Sequence, residues 1–226
     1  MKYQAVIFDL FGTLVDNFSR TEHKSILSDM ALVLGTPVES FMDVWFDTFT
    51  MRCVGDIKTT TENITYICNR LNIFPNSRQL EAAATIRFNY TQKSLVPKNS
   101  VIDTLVSIKK QGHKLGLISD CSSEVPLIWK ETLFSTLFDT TIFSCEAGIK
   151  KPDVGIYRLA CEKLAVSPSQ CLYVGDGGSN ELSGAQSAGM VPLLICDPNE
   201  FDAHRIDAHS WSGNIIERMA EVLDSL

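Results

Sequence analysis

The second half of the chain alternates between short apolar runs and amphipathic stretches, and this alternation restricts the fold more than any other feature. Short apolar runs, the pattern of buried strands, lie at residues 4–8, 114–119, 140–144, 170–176 and 191–196. Helical patterns lie between and after the later runs, at about residues 99–111, 124–133, 153–165, 179–188 and 213–225. Regular alternation of strand and helix is typical of a parallel sheet with helices on both faces. We therefore predict an α/β fold with a doubly wound parallel sheet.

Residues 18–93 interrupt this alternation. Apolar side chains recur there at helical spacing, as at Ile26 and Met30, and the breaks between the helical stretches contain no strand pattern. We predict that these residues form a four-helix cap domain inserted after the first strand. The core domain would then consist of residues 1–17 and 94–226.

Three of the predicted strands end in polar side chains that are able to take part in chemistry. Asp9 directly follows the first strand, Ser119 and Asp120 lie at the end of the second, and Asp176 ends the fourth. Ligands of such sheets bind outside the carboxyl ends of the strands. We therefore expect these side chains to lie at one edge of the sheet.

Composition and charge argue against several other classes of protein. The formal net charge is −7 and no block of basic residues occurs, which makes nucleic-acid binding a poor hypothesis. No apolar run reaches membrane-spanning length, and the N-terminal apolar stretch lacks a small-residue cleavage site. The seven cysteines are scattered without a C-x-x-C pair, which favours reduced thiols. We expect a cytoplasmic protein, monomeric or homodimeric, that binds neither nucleic acid nor membranes.

Four short motifs, taken in order, resemble those of the haloacid dehalogenase-like hydrolases. DLFGTL at residues 9–14 resembles the first motif, Ser119 the second, Lys151 in KKPDVGIY the third, and GDGGSNE at residues 175–181 the fourth. The order and spacing match across nearly the whole chain. The helical stretch at 18–93 lies where this family inserts a helical cap, and the family's core has the Rossmann-like sheet predicted above.

The resemblance implies a catalytic role for four residues. Asp9 would be a nucleophile that forms a covalent aspartyl-phosphate. The hydroxyls of Thr13 and Ser119 would donate to a phosphoryl oxygen, and Lys151 would neutralise both the nucleophile and the phosphate. The plainer alternatives are a turn cap for Asp9, a helix N-cap for Ser119 and a solvated loop lysine for Lys151.

The resemblance also implies a Mg²⁺ cofactor. Its protein ligands would be Asp9, the backbone carbonyl of Phe11 and Asp176, with Glu181 acting directly or through a water on the metal. Oxygen ligands of this kind are those that Mg²⁺ prefers. Glu181 has a plainer alternative too, because acidic residues are favoured in the first turn of any helix.

Phe11 departs from the pattern of phosphatases in this family, most of which carry a second Asp there to protonate the leaving group. Losing such an acid–base group costs about 10²–10⁴-fold in rate. The substrate could have a leaving group that needs no proton, or Asp120 could supply one, although Asp120 is also a plausible N-cap. A third possibility is a slow enzyme or a binding protein. We expect Phe11, Gly12 and Asp120 to lie against the substrate, and Gly12 to permit a tight turn.

The favoured function is a Mg²⁺-dependent phosphatase that acts on a small phosphorylated metabolite. The main alternative is a metal-independent 2-haloacid dehalogenase, a branch that also carries an aromatic residue at the position of Phe11 and a residue like Tyr157. Without a cation, however, Asp176 and Glu181 would repel Asp9. A phosphonate hydrolase would need a reactive cap lysine, and nothing marks Lys24 or Lys58 as one.

The cap is expected to set the specificity by closing over the site. Its polar candidates are Arg20, His23, Arg52 and Lys58. We include Arg52 among the substrate-binding residues because a guanidinium could bind a second anionic group of the substrate. The alternative is an ordinary solvated arginine on a helix.

Overall fold

The computed structural model describes residues 2–17, 19–196, 208 and 211–226, and it shows the predicted α/β architecture. The described strands form one parallel sheet in the order β3-β2-β1-β4-β5-β6. These strands are β1 (Ala5–Phe8), β2 (Lys114–Ser119), β3 (Thr140–Phe143), β4 (Cys171–Gly175), β5 (Val191–Ile195) and β6 (Ile215–Ile216).

The centre of the sheet explains where its ligands would bind. β1 is wholly buried and pairs with β2 and β4, so that Phe8 lies opposite both Leu117 and Val174. The strand order changes direction between β1 and β4, which is the point at which doubly wound sheets bind ligands. Asp9 follows β1 directly and therefore lies at this point.

The sheet is covered on both faces. Val6 and Phe8 belong to one apolar cluster and Ala5 and Ile7 to another, as expected of a strand whose alternate side chains point to opposite sides. Burial on both faces explains why β1 is apolar at every position.

Helices α1 to α6 lie between β1 and β2, and α7 to α10 lie among the later strands. The helices are α1 (Arg20–Leu34), α2 (Val38–Asp47), α3 (Phe49–Cys53), α4 (Thr60–Arg70), α5 (Ser77–Ser94), α6 (Val101–Lys110), α7 (Glu124–Trp129), α8 (Ser144–Ala147), α9 (Val154–Leu164) and α10 (Glu181–Ser187). Short 3₁₀ helices occur at Pro168–Gln170, Gly178–Asn180 and Met219–Ser225.

The insertion has an apolar core of its own, which includes Met30, Phe41, Trp45 and Ile67. The sequence predicts four helices here, and the structure has four longer ones and the single turn α3. The backbone at Thr48 leaves the helical conformation, whereas apolar spacing runs through it from Trp45 and cannot show the break. The division of the chain into domains at residues 17/18 and 93/94 stays a prediction.

The C-terminal prediction was wrong. Residues 213–225 were expected to form one amphipathic helix, but Ile215–Ile216 pairs with β5 as an edge strand and Met219–Ser225 is a 3₁₀ helix. The tertiary contact with Leu194 overrides the helical spacing, and two adjacent isoleucines suit a strand. None of the helices in the described part of the chain is long and apolar enough to cross a membrane. All seven cysteines lie in the described part of the chain, and none of them is in a disulfide.

Candidate active site at the carboxyl edge of the sheet

Three buried carboxylates meet beside the end of β1. Asp9 follows β1, Asp176 follows β4 and Glu181 is the first residue of α10, and one oxygen of each lies within 4.8 Å of those of the other two. Lys151 inserts its ammonium group among them: Nζ contacts Asp9 Oδ1 and lies 2.6 Å from Glu181 Oε2. Four residues from four segments of the chain thus form one buried cluster.

The electrostatics of this cluster favour a further cation. Three carboxylates surround one ammonium group, so the cluster carries two excess negative charges when all four groups are ionised. Burial raises the pKa of Asp9 to about 6, an effect that Lys151 opposes and Asp176 reinforces. Burial and the charge of Asp9 also raise the pKa of Glu181 well above its usual value. A divalent ion with a preference for oxygen ligands fits this donor set and would offset the repulsion.

Three hydrogen bonds hold the carboxylate of Glu181. Its Oε2 accepts hydrogen bonds from Lys151 and from the hydroxyl of Tyr173 at 2.8 Å, and its Oε1 accepts one from the N–H of Gly177 at 3.0 Å. The hydroxyl of Tyr157 donates to the Glu181 carbonyl and fixes the start of α10. The plain first-turn role of an acidic residue does not account for these contacts.

Two predicted hydroxyl groups flank Asp9. Thr13 Oγ1 donates to Asp9 Oδ2 at 3.3 Å. Ser119 Oγ is buried at the end of β2 and has no hydrogen-bond partner within the described chain. Leaving a buried hydroxyl without a partner is unfavourable, so an oxygen of a bound ligand would complete its hydrogen bonding. Ser119 ends a strand and is not a helix N-cap.

The turn after β1 requires glycine at residue 12. Gly12 has a φ of 85°, and a Cβ there would lie 2.1 Å from Asp176 Oδ2. The backbone of Gly12 therefore lies close to the carboxylate of Asp176. Asn17 at the end of this turn donates to Asp176 Oδ2 at 3.1 Å.

Asn17 and Tyr173 are site residues that the sequence did not reveal. Tyr173 lies inside an apolar strand pattern, where it is most simply a packing residue, and Asn17 lies in a loop without a motif. Only the fold brings these two side chains to Asp176 and Glu181.

Asp120 faces a cavity between the cap helices and the core. Its Oδ1 accepts the backbone N–H of Lys151 at 3.0 Å, and its Oδ2 is buried without a partner in the described chain. It does not cap α7, because the N-cap residue there is Ser123. The cavity has a volume of about 70 Å³, and Phe11, Asp120 and Arg52 all line it.

Arg52 is buried, with a relative exposure of 5%, so the alternative of a solvated arginine is wrong. Its Nη1 donates to the carbonyl of Trp45 at 2.7 Å, and its guanidinium lies over the Trp45 ring. Arg20 and Lys58 are exposed, and His23 is half-buried beside Arg87.

The family comparison agrees with the fold. The chain belongs to the haloacid dehalogenase-like hydrolases, whose family model matches residues 3–189. It is a hydrolase of this class with a helical insertion between β1 and β2.

Curated relatives and solved structures give a finer picture. A glyceraldehyde 3-phosphate phosphatase of Methanopyrus kandleri is 32% identical over 52% of this chain, which spans about half (51%) of that relative's length. The Pyrococcus furiosus protein of the same name is 27% identical over 84% of this chain and 79% of its own. A 2-haloacid dehalogenase from Pseudomonas syringae pv. Tomato has the same fold, with a TM-score of 0.71 at 20% identity over 98% of this chain and 97% of its own. An enzyme of Bacteroides thetaiotaomicron solved with magnesium and inorganic phosphate has a TM-score of 0.65 at 17% identity over 88% and 97%.

Proposed function

We propose that this protein is a magnesium-dependent phosphatase that hydrolyses a small phosphorylated metabolite through Asp9. The observation that carries the proposal is the buried cluster of Asp9, Asp176 and Glu181 around Lys151. Its two excess negative charges suit a divalent cation, and a bound cation lets an anionic phosphate approach carboxylates.

The chemistry would run in two steps at phosphorus. A carboxylate oxygen of Asp9 attacks the phosphoryl group and displaces the substrate oxygen, which gives an aspartyl-phosphate. Water then attacks that phosphorus, releases inorganic phosphate and restores the carboxylate. Bound magnesium would offset the negative charge of the phosphoryl oxygens.

The chain's own residues hold the reactants. Lys151 orients Asp9 by direct contact, and Glu181 in turn fixes Lys151. Ser119 Oγ would donate to a phosphoryl oxygen, which completes its hydrogen bonding, and Thr13 would join it. Asp9, Asp176 and the carbonyl of Phe11 would hold the metal.

Proton delivery to the leaving group is the weak point of this site. Phe11 cannot transfer a proton, whereas Asp120 has a buried oxygen without a partner on the cavity side. We propose that the enzyme favours substrates with good leaving groups unless Asp120 supplies the proton.

Similarity to the glyceraldehyde 3-phosphate phosphatases points to short phosphorylated compounds as the first substrates to assay. The cavity volume of about 70 Å³ agrees with a short substrate.

The test is a phosphate-release panel of sugar phosphates, three-carbon phosphates, acyl phosphates and an aryl phosphate, measured with magnesium and with chelator. We expect release that requires magnesium and that Asp9→Asn abolishes. Asp29→Asn, the same change at an exposed position on α1, is the matched control and should match the wild type. Magnesium-dependent release that persists in Asp9→Asn contradicts the proposal.

The second candidate is a metal-independent dehalogenase, which Phe11 in the wall of the cavity favours. Halide release from short 2-haloacids that survives the chelator would establish it. The acidic cluster opposes it, since a metal-free reaction gains nothing from Asp176 and Glu181 beside Asp9. Tight ligand binding with no turnover under any metal would instead indicate a binding protein.

A further inference from the structure

Arg52 is a buried charge whose hydrogen bonds go to neutral groups. Its guanidinium bonds to the carbonyl of Trp45 and to the hydroxyl of Thr48, and both acceptors are neutral. Within the part of the chain that the structure describes, Arg52 forms no ion pair. Buried charges in proteins are normally paired, because desolvation is costly. Burial and the nearby Arg87 lower the pKa of Arg52 to about 10, so the side chain is still protonated at neutral pH.

A second buried arginine strengthens the positive potential at this place. Arg87 of α5 lies over the same Trp45 ring as Arg52, at 5.4 Å from the ring centroid. Its Nε lies 3.7 Å from Glu124 Oε1, and Glu124 also accepts hydrogen bonds from Thr60 and Ser122. Glu124 is thus paired with Arg87, and it acts on Arg52 only as a more weakly interacting charge.

His23 does not add an alternative cation to this group. Burial lowers the pKa of its imidazole to about 4, with Arg87 and Arg52 acting in the same direction. The ring is therefore neutral at pH 7 and its Nε2, 3.4 Å from Arg87 Nη1, is able to accept a hydrogen bond from it.

These groups surround the cavity that adjoins the nucleophile. Arg52, Arg87 and His23 line it from the cap, and Phe11 and Asp120 line it from the core. Phe11 and Asp120 are close in sequence to Asp9 and Ser119, so the cavity lies near the place where the phosphoryl group would bind. Its volume of about 70 Å³ has room for a few non-hydrogen atoms.

We propose that this cavity is a subsite for the carboxylate of a short phosphorylated carboxylic acid, with Arg52 as its counter-charge and Arg87 as a supporting charge. The inference rests on the proposed phosphatase function and adds the class of substrate. A carboxylate matches the planar fork of a guanidinium and is smaller than a second phosphate. An aldehyde or an alcohol of the same length would leave Arg52 without a counter-charge.

The test compares substrates of equal carbon number that differ in one group. Phosphate release with magnesium is measured for 3-phosphoglycerate against glyceraldehyde 3-phosphate and glycerol 3-phosphate, and for phosphoglycolate against ethyl phosphate. The wild type should favour the acid in each comparison by about 10- to 100-fold in kcat/KM, mainly through KM. This ratio needs no variant and so cannot be confused with misfolding.

Two variants and one control then assign the effect. Arg52→Gln should collapse the preference for the acid, and Arg52→Lys should restore part of it. Arg70→Gln, an exposed arginine on α4, should keep the preference of the wild type. Circular dichroism melts check that each variant is folded.

Three outcomes overturn the inference: equal use of acids and neutral compounds by the wild type, an unchanged ratio in folded Arg52→Gln, or an equal loss on both kinds of substrate. If the proposed function itself fails, the result is different, because even an aryl phosphate then releases no phosphate with magnesium.

Discussion

Ser119 is the residue whose environment most clearly separates a catalytic role from a structural one. Its buried hydroxyl has no partner in the described chain, so Ser119→Ala should leave the melting temperature nearly unchanged. The same change should lower kcat by about 10²–10³-fold, which is typical for loss of a donor to a developing oxyanion. Thermal melts and steady-state kinetics measure the two effects.

Ser144→Ala is the contrasting control. Ser144 Oγ is also buried but accepts the N–H of Cys121 at 3.0 Å. Its loss should cost about 1–3 kcal/mol of stability, because it leaves a buried donor unsatisfied. If Ser119→Ala is the variant that loses stability, or if it keeps full activity, the role given to Ser119 is wrong.

The lack of a carboxyl group at Phe11 leads to a prediction about leaving groups. If its missing carboxyl limits the reaction, Phe11→Asp should raise turnover of alkyl phosphates about tenfold or more relative to an acyl phosphate, since general acid catalysis contributes about 10²–10⁴-fold. The ratio of kcat values for glycerol 3-phosphate and acetyl phosphate measures this. Asp120→Asn keeps an acceptor for the Lys151 N–H. In the wild-type background, this change lowers the ratio of the two kcat values only if Asp120 is the proton donor.

At the scale of elements, the turn after β1 requires glycine because the backbone of residue 12 lies against Asp176, and not only because glycine tolerates a positive φ. Gly12→Ala places a Cβ against Asp176 and should abolish magnesium-dependent turnover. Gly35→Ala is matched to it, because Gly35 also has a positive φ of 70° but has no atom near the added Cβ. It should cost only about 1–2 kcal/mol of left-handed strain and keep full activity.

Steady-state kinetics and thermal melts of Gly12→Ala and Gly35→Ala measure their activity and their stability. Equal losses of activity would mean that the backbone conformation, and not the contact with Asp176, is what the site needs.

The sequence predicted the central elements well for a physical reason. Asp9, Ser119 and Asp176 stand at the ends of buried strands, and parallel strands bring such ends together whatever the loops do. Lys151 lies beside Asp9 because its loop returns to the same edge of the sheet. A local sequence pattern is therefore sufficient to predict these positions, because the parallel sheet itself brings the strand ends together.

Other features depend on contacts between distant parts of the chain and could not be predicted. Arg52 has the spacing of a surface helix residue. It is buried because it packs on the Trp45 ring and because residues of α5 and α7 line the same cavity. Ile215–Ile216 likewise pairs with β5 as a strand, although the sequence pattern there predicts a helix. Tyr173 looks like any other strand residue until α10 brings Glu181 to its hydroxyl.

At the scale of the whole molecule, the excess negative charge couples metal binding to stability. Magnesium should raise the melting temperature, since a ligand that binds only the folded state at about 100 times its Kd adds about 2.7 kcal/mol. Asp176→Asn should raise the melting temperature in chelator, because it removes one of three mutually repelling carboxylates, and it should weaken the response to magnesium.

Differential scanning calorimetry of both proteins, with magnesium and with chelator, measures these effects. Glu81→Gln, an exposed acid on α5, serves as the charge-matched control and should respond like the wild type. A wild type that is indifferent to magnesium would contradict a metal site in this cluster.

The central claim is that Asp9 carries the phosphoryl group during turnover. The most direct measurement is to quench the enzyme in acid during turnover of a substrate with magnesium, digest it with pepsin at low pH and weigh the peptides by mass spectrometry. The account predicts one added phosphoryl group on the peptide that contains Asp9, present only with substrate and magnesium and missing in Asp9→Asn. Phosphate release without that adduct, or with the adduct on another residue, would contradict it.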